Sequence, residues 1–277
     1  MRFPASSAPR AAAALSIALA AALWTAELPA QWLEVEAQSF LGRADRSGAP
    51  LAVKAEALSY SKSCPKAFFR TTVVYPQGFD DGGPVDRAVK AKADQYYREG
   101  SGQESFMEDE YEMRQDCGNL EDTYYINVQS SPYRVSPYTF SVLFVNEGYA
   151  GGAHGGIATA TMNLFADGRE IAVSDLFMNQ ARSLPLFWER IARDSCVGHD
   201  TVPYLYGGGQ CGTSLPLPDP LKPGGETLDS LGGAVLTPLG LTINLDPYMA
   251  WSFGEGPFTL DIPKNDLIAM GASPGLW

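Results

Sequence analysis

Histidine and closely spaced cysteines are scarce in this chain of 277 residues. The two histidines, His154 and His199, lie far apart in sequence, whereas a polysaccharide deacetylase holds its metal with two histidines at close spacing. None of the four cysteines forms the closely spaced pair of a zinc ribbon. No Gly-x-Ser-x-Gly elbow occurs either, which leaves serine hydrolase chemistry without support.

Positive charge is also in short supply. The chain has 20 lysines and arginines against 32 aspartates and glutamates, which gives a formal net charge of −12. Such a surface repels nucleic acid and anionic lipid and favours a cationic partner, although acidity also serves solubility alone. We therefore expect no nucleic-acid binding.

Only the N-terminus carries a long uninterrupted apolar run. Ala11 to Ala26 is preceded by Arg2 and Arg10 and is followed by the small-residue site Leu28-Pro29-Ala30. This pattern predicts a signal peptide over residues 1–30. The run is shorter than the ~20 residues that span a bilayer, and an uncleaved anchor is the alternative. We expect a periplasmic or secreted protein with no membrane span in the mature chain.

The cysteines fit an oxidising compartment. Of the three possible connectivities we favour Cys64 with Cys117 and Cys196 with Cys211, because each bridge then stays within one half of the chain. The second bridge would close a glycine-rich loop of about 15 residues and contribute on the order of 3 kcal/mol. Free structural thiols are the alternative.

Alternating large side chains and turn signals predict strands and helices along the chain. The first half is expected to form the strands Val53–Tyr60, Ala67–Tyr75, Asp122–Gln129 and Tyr138–Asn146 and the helices Asp86–Arg98 and Glu104–Arg114. The second half is expected to form the strands Ile157–Phe165, Glu170–Val173, Gly240–Leu245 and Pro257–Ile262.

The residues after Ser183 predict one more helix. The hydroxyl of Ser183 is a suitable cap, and Pro185 fits the first turn. Apolar side chains then recur at helical spacing and are expected to lie across the sheet: Leu184, Phe187, Trp188 and Ile191. Residues 199–231 are rich in glycine and proline and predict an irregular segment.

The segment Asp80-Asp81-Gly82-Gly83-Pro84 is similar to the Asp-Asp-Gly-Pro motif of polysaccharide deacetylases. An extra glycine interrupts the pattern. We interpret the segment as a loop that caps the helix after Pro84.

Three blocks carry a resemblance to a known family. They are the segment Tyr149-Ala150-Gly151-Gly152-Ala153-His154, residues 173–177, and residues 241–248 ahead of Gly254 and a strand. Their order and spacing resemble the RsiV-like extracytoplasmic domain family over residues 135–265. This family includes the lysozyme-sensing outer domain of an anti-sigma factor and the C-terminal region of some peptidoglycan deacetylases.

The resemblance implies an α+β fold in which antiparallel sheets pack against helices, in two small subdomains. We divide the chain into the signal peptide, an N-terminal α+β subdomain over residues 31–134 and the RsiV-like C-terminal α+β domain over residues 135–277. The resemblance also implies a role at the cell envelope.

Six residues are candidates for ligand binding. Adjacent glycines permit a tight turn that presents His154, and flat aromatic rings can stack on a sugar. The candidates are Tyr149, Gly151, Gly152, His154, Tyr248 and Trp251. The alternatives are a structural hydrogen bond from the histidine ring and core packing of the aromatic rings.

The leading hypothesis is a non-catalytic envelope module that binds a cationic protein such as lysozyme, or a peptidoglycan component. It requires no cofactor, metal or catalytic residue. The alternative is a metal-dependent cell-wall hydrolase or deacetylase with His154 or His199 as a ligand, and a purely structural envelope protein is a third possibility.

Overall fold

The computed structural model describes residues 53–63, 68–101, 123–149, 155–252, 255 and 257–277. These residues form eight strands: β1 (Lys54–Ser63), β2 (Phe68–Gln77), β3 (Thr123–Ser136), β4 (Thr139–Tyr149), β5 (Gly156–Phe165), β6 (Ala234–Thr237), β7 (Gly240–Leu245) and β8 (Phe258–Pro263). The described helices are α1 (Pro84–Gly100), α2 (Gln180–Ser195) and α3 (Lys264–Ala269). Short 3-10 turns connect several of them.

Strands β1 to β5 form one sheet in sequence order. Helix α1 covers one face of this sheet, because its buried side chains Val85, Val89 and Ala93 share a core with the sheet. Large residues at alternate positions of β4 supply much of that core, among them Phe140 and Phe144. The period-2 pattern of the sequence therefore predicted the covered face correctly.

Strands β6 to β8 form a second, antiparallel sheet around another core. Helix α2 contributes its apolar face to that core, with the predicted residues Leu184, Phe187, Trp188 and Ile191 all buried. The irregular segment between α2 and β6 also packs there through Val202, Tyr206 and Leu221. The segment is thus ordered by burial although it lacks long regular elements.

A buried polar seam joins the two sheets. The side-chain amide of Asn163 on β5 donates to the Ala234 carbonyl (2.8 Å), and its oxygen accepts from the Leu236 amide (2.8 Å) and the Ser141 hydroxyl (2.9 Å). The Thr161 hydroxyl also donates to the Ala234 carbonyl (2.7 Å). Because Asn163 and Ser141 are buried, these bonds replace water completely at this contact.

The α+β class with two cores is confirmed. One pair of strands, β2 with β3, is parallel, since α1 intervenes between them, and the other pairs are antiparallel. The expected boundary between residues 134 and 135 falls inside β3, so residues on both sides of it contribute to the same sheet. The second core takes in Val135 of β3, whereas the first core includes Leu164 near the end of β5.

Helix α2 begins earlier than the sequence predicted. Its N-cap is Asn179, whose side-chain oxygen accepts from the Arg182 amide, and Ser183 is a buried residue inside the helix. Pro185 also lies inside the helix rather than in its first turn. Asparagine is as good an N-cap as serine, and a proline so near the start removes only one backbone bond.

The expected strand Glu170–Val173 forms isolated bridges instead of a ladder. Glu170 pairs with Leu164, Ala172 pairs with Thr227, and a 3-10 turn starts at Val173. The Asp175 carboxylate accepts from the Ala172 amide (3.0 Å), and such local bonds compete with strand pairing. Strand β6 and helix α3 were not predicted, because both are short.

Several expected features lie outside the described residues. They are the helix Glu104–Arg114, the Cys64 to Cys117 bridge, and the candidates Gly151, Gly152 and His154. The bridge between Cys196 and Cys211 is present and spans 15 positions of sequence. Among the helices within the described ranges, none has the length and apolarity that a membrane crossing requires.

We predict that the polar seam is essential for stability. Asn163→Leu leaves the Leu236 amide without its acceptor inside a dry contact, so the free energy of unfolding should fall by about 2 to 4 kcal/mol. Urea unfolding measures this loss. Asn265→Leu, at an exposed position of α3, is the control and should change stability little. An equal effect of both substitutions would contradict the role of the seam.

Candidate functional site

Strand β5 is an edge strand, and its outward backbone amides bind carboxylates instead of another strand. The Thr159 amide donates to both oxygens of Asp246 (2.9 Å each), and the Thr161 amide donates to Asp229. The Thr159 hydroxyl adds a bond to Asp246 (2.8 Å). An open edge can pair with a strand of another chain, and here two carboxylates from the second layer of the protein occupy these amides.

Close backbone approach makes this contact possible. Gly233 precedes β6 with φ +85°, a left-handed conformation that favours glycine. A side chain there would place its Cβ 2.7 Å from the Thr159 hydroxyl and 3.0 Å from the Asn244 carbonyl. The sequence Gly232-Gly233 therefore lets the segment that carries Asp229 lie directly against β5.

Asp246 also starts a tight turn that displays Tyr248. The Asp246 carbonyl accepts from the amides of Met249 (3.0 Å) and Ala250 (3.2 Å). Tyr248, which lies between Asp246 and Met249, has φ +70° and is 64% exposed. A large side chain rarely adopts this left-handed conformation, and such outliers cluster at functional sites.

The exposed Tyr204 lies next to this turn, because backbone hydrogen bonds join its segment to the turn. The Tyr204 amide donates to Ala250 (2.8 Å), and the Leu205 amide donates to Met249 (2.9 Å). On the first sheet, the rings of Tyr125 and Tyr149 stack with centroids 6.4 Å apart. We name as the tyrosine surface the residues Tyr125, Tyr149, Ile157, Tyr204, Tyr248 and Met249.

Four residues of the tyrosine surface, Tyr149, Ile157, Tyr248 and Met249, lie in segments without lysine or arginine. No lysine or arginine occurs between Arg134 and Arg169 or between Lys222 and Lys264. The acidic residues there include Glu147, Asp229 and Asp246. Strand register places the exposed Arg70 of β2 opposite Tyr125, so acidic residues dominate these segments of sequence but not every neighbour of the surface.

The electrostatic effects agree with this arrangement. Burial raises the pKa of Asp246 above its ordinary value, with a further contribution from Asp229, while the bonds from Thr159 oppose the shift. Burial also raises the pKa of Tyr96 on α1, and Asp229, Glu99 and Asp246 add to that shift. Asp229 thus acts on Asp246, and both carboxylates act on Tyr96 of the facing helix.

The aromatic candidates separate into surface and core. Tyr248 is exposed, and Tyr149 is half-buried beside Tyr125. Trp251 is 5% exposed, and its indole nitrogen donates to the Thr201 carbonyl (3.2 Å). Core packing, the alternative considered for these rings, therefore describes Trp251.

The remaining candidates have structural surroundings. His199 stacks on Trp251 with ring centroids 3.6 Å apart. Within the described ranges, His, Cys, Asp and Glu side chains form no group of three or more that could hold a metal ion. The Asp80 carboxylate accepts from the amides of Val85 (2.8 Å) and Asp86 (3.1 Å), so the loop before α1 caps the helix as the sequence predicted.

Sequence reasoning missed the residues that build the β5 edge. Thr159, Thr161 and Asn163 alternate with apolar residues on β5. Polar residues on one face of a predicted strand could have indicated a buried polar contact. The identities of their partners, Asp229 and Asp246, depend on tertiary structure and had no local signal.

Two of the solved structures that resemble this chain come from the DUF3298 family. One is a member of the DUF3298 family from Bacteroides fragilis, with 13% identity and a TM-score of 0.52, and the match covers 80% of this chain and 94% of that chain. The other is a DUF3298 family protein from Pseudomonas aeruginosa, with 13% identity, a TM-score of 0.47 and coverage of 83% and 97%.

These comparisons concern the fold alone. DUF3298 is a domain family of unknown function, and the identity to its Bacteroides member is low. A scan against models of protein families and a search of curated proteins find no match. The resemblance to the RsiV-like family therefore stays a prediction.

We predict different effects for two substitutions of Asp246. Asp246→Ala removes the acceptor of the Thr159 amide and should lower the free energy of unfolding by about 1 to 3 kcal/mol. Asp246→Asn keeps an acceptor oxygen and removes the charge. At pH 7 this variant should equal or exceed the wild type in stability.

The pH dependence gives the sign of this effect. Because the folded state raises the pKa of Asp246, the contribution of this group to stability is present at low pH and is lost as the pH rises above about 3.9, through the raised value. The advantage of Asp246→Asn should therefore shrink on acidification, as measured by denaturant unfolding. Asp261→Asn, at an exposed carboxylate that binds Thr242, is the control. If Asp246→Asn lost as much stability at pH 7 as Asp246→Ala, the prediction would be contradicted.

We also predict backbone strain at Tyr248. Glycine adopts the left-handed conformation freely, so Tyr248→Gly should be more stable than Tyr248→Ala by about 1 to 2 kcal/mol. Thermal unfolding measures the difference. At Tyr204, which lies in a 3-10 turn, the same pair should show the opposite order. Equal stability of the two Tyr248 variants would exclude strain.

Proposed function

We propose that the protein is an exported, non-catalytic binding module of the cell envelope that docks a cationic protein on the tyrosine surface. The observation that carries the proposal is the exposed Tyr248 ring, held in a left-handed backbone by a turn that Asp246 anchors. The left-handed backbone at Tyr248 is strained for a residue other than glycine, and the side chain there is exposed. Such strain persists where it serves a function.

The chemistry of the surface favours a protein partner. Tyrosine offers a large amphipathic contact area with few rotatable bonds, which is why it is enriched at recognition surfaces. Five of the six residues of the tyrosine surface are classed as exposed, with Tyr248 at 64% and Tyr204 at 59%. The group on the first sheet and the group at the turn are linked because Thr159, two residues after Ile157, binds Asp246, two residues before Tyr248, and clustered exposed apolar residues indicate a contact surface.

The charge favours a cationic partner. The segments that carry Tyr149, Ile157, Tyr248 and Met249 contain Glu147, Asp229 and Asp246 and no lysine or arginine, and the chain as a whole has a formal net charge of −12. Complementary charge raises the association rate and disfavours anionic partners. Lysozyme is a cationic protein of the envelope environment, and the resemblance to the RsiV-like family implies it as a partner.

Export is part of the same proposal. The signal-peptide pattern over residues 1–30 and the use of cysteine in the Cys196 to Cys211 bridge both fit a periplasmic or secreted protein. A module outside the cytoplasm can meet lysozyme directly. A peptidoglycan component is the second ligand to test, because tyrosine rings also stack on sugars.

We predict that the exported protein binds lysozyme with a strong salt dependence. Titration by calorimetry at salt concentrations on either side of ~0.1 M, where the Debye length is about 10 Å, should give clearly weaker binding at the higher salt. Glu147→Gln should reduce the affinity mainly at low salt, because it removes one exposed charge. Absence of binding to lysozyme and to purified peptidoglycan at physiological salt would overturn the proposal.

A matched pair of tyrosine variants tests the location. Tyr248→Asn removes the ring and retains a residue that accepts the left-handed conformation, so we expect a loss of affinity of about ten-fold without unfolding. Tyr138→Asn is the control, since Tyr138 is 70% exposed and lies just before β4. Tyr149 ends that strand roughly 35 Å from Tyr138 at the usual rise per residue. Equal losses in both variants would place binding elsewhere.

A further inference from the structure

The bridge between Cys196 and Cys211 closes a loop with its own hydrogen bonds. Thr201 and Gln210 form an isolated antiparallel bridge, and the Val202 amide donates to the Gly209 carbonyl (2.8 Å). The Cys211 amide donates to Asp200 (2.9 Å). The loop is therefore a small hairpin whose two ends are joined covalently.

One side of this hairpin is fixed to the second core. Val202 and Tyr206 are buried, and the Tyr206 hydroxyl donates to the Leu231 carbonyl (2.6 Å). The hairpin tip runs from Pro203 to Gly208 and is followed by the paired Gly209, with φ of +102° at Gly207 and +61° at Gly208. Three glycines in a row make the tip intrinsically flexible, so cross-linking its ends removes much of its freedom.

The other side of the hairpin contacts the segment that follows Tyr248. The amides of Tyr204 and Leu205 donate to the carbonyls of Ala250 and Met249, respectively. The indole of Trp251 donates to Thr201 at 3.2 Å. The hairpin is thus bonded to three successive residues directly after the displayed tyrosine.

We propose that the Cys196 to Cys211 hairpin is the positioning element of the tyrosine surface. The turn that displays Tyr248 has two anchors: Asp246 binds β5 before the tyrosine, and the hairpin binds the chain after it. A tyrosine between two fixed ends keeps one orientation and loses little entropy on docking. The role in docking rests on the proposed function, whereas the ordering of the turn by the hairpin can be tested without any ligand.

The test compares the full exported chain with Cys196→Ala/Cys211→Ala. Hydrogen exchange should become at least ten-fold faster at the amides of Leu205, Met249 and Ala250, which bond the hairpin to the turn or close the turn. Affinity for lysozyme, the probe used, should fall at least five-fold. Exchange within β4 should not change.

A control separates positioning from general destabilisation. Arg190 binds Asp194 on α2 and Asp266 on α3, so Arg190→Gln weakens the protein while the bridge and the bonds between hairpin and turn stay in place. Below the melting temperatures of both proteins, Arg190→Gln should leave the exchange of Met249 and Ala250 and the affinity for lysozyme unchanged. A purely structural bridge would instead give the two variants the same pattern.

A second pair keeps the inference testable if the double cysteine variant does not fold. Tyr204→Pro removes the amide that binds Ala250, and the extended backbone of Pro203 is compatible with a following proline. Tyr204→Ala removes the same ring and keeps that amide. Only the proline variant should accelerate exchange at Met249 and Ala250.

The outcomes distinguish the two proposals. Unchanged exchange at Leu205, Met249 and Ala250 in both the cysteine variant and Tyr204→Pro would overturn the positioning role. Accelerated exchange in a protein that binds no lysozyme would support the positioning role and overturn the proposed function. Accelerated exchange with undiminished lysozyme affinity would show that the hairpin does not serve docking and would also overturn the inference.

Discussion

The architecture depends on how the open edge of β5 is satisfied. A five-stranded sheet that ends at β5 exposes a row of backbone amides, and those of Thr159 and Thr161 are bonded by the carboxylates of Asp246 and Asp229. Side chains from the second layer therefore complete the first sheet. Each amide would cost about 1 to 3 kcal/mol if it were buried without a partner.

This arrangement couples the fold to the surface charge. A further strand would cover the same edge without charge, whereas two aspartates bring negative charge to the place where the layers meet. The raised pKa of Asp246 indicates that burial and the proximity of Asp229 have a cost. The same two carboxylates secure the turn and contribute to the field that a cationic partner would meet.

The sequence predicted regular elements better than it predicted the site. Alternation identified β4 and β5 with small errors at their ends, and helical spacing identified the buried face of α2 through Phe187 and Ile191. The start of α2 was wrong, because Asn179 and Ser183 are both acceptable caps and sequence alone does not choose between them.

The β5 edge and the hairpin contacts could not be predicted, because their bonds join residues distant in sequence. Thr159 and Asp246 are 87 positions apart. No local propensity reports such a pairing, whereas Tyr248 was at least suggested by its aromatic neighbours. The separation of Tyr248 from the buried Trp251, only three positions later, also depends on the tertiary packing against Thr201.

The magnitudes explain why a strained tyrosine can persist. A left-handed conformation costs a non-glycine residue about 1 to 2 kcal/mol. Asp246 alone accepts from the Thr159 amide and hydroxyl, and hydrogen bonds to charged groups contribute about 1.5 to 3 kcal/mol each. Burial of Asp246 offsets part of this contribution, and the net loss expected for Asp246→Ala, about 1 to 3 kcal/mol, is comparable to the strain. Tyr248 follows from that balance: its backbone conformation is set by its neighbours, and its side chain is 64% exposed.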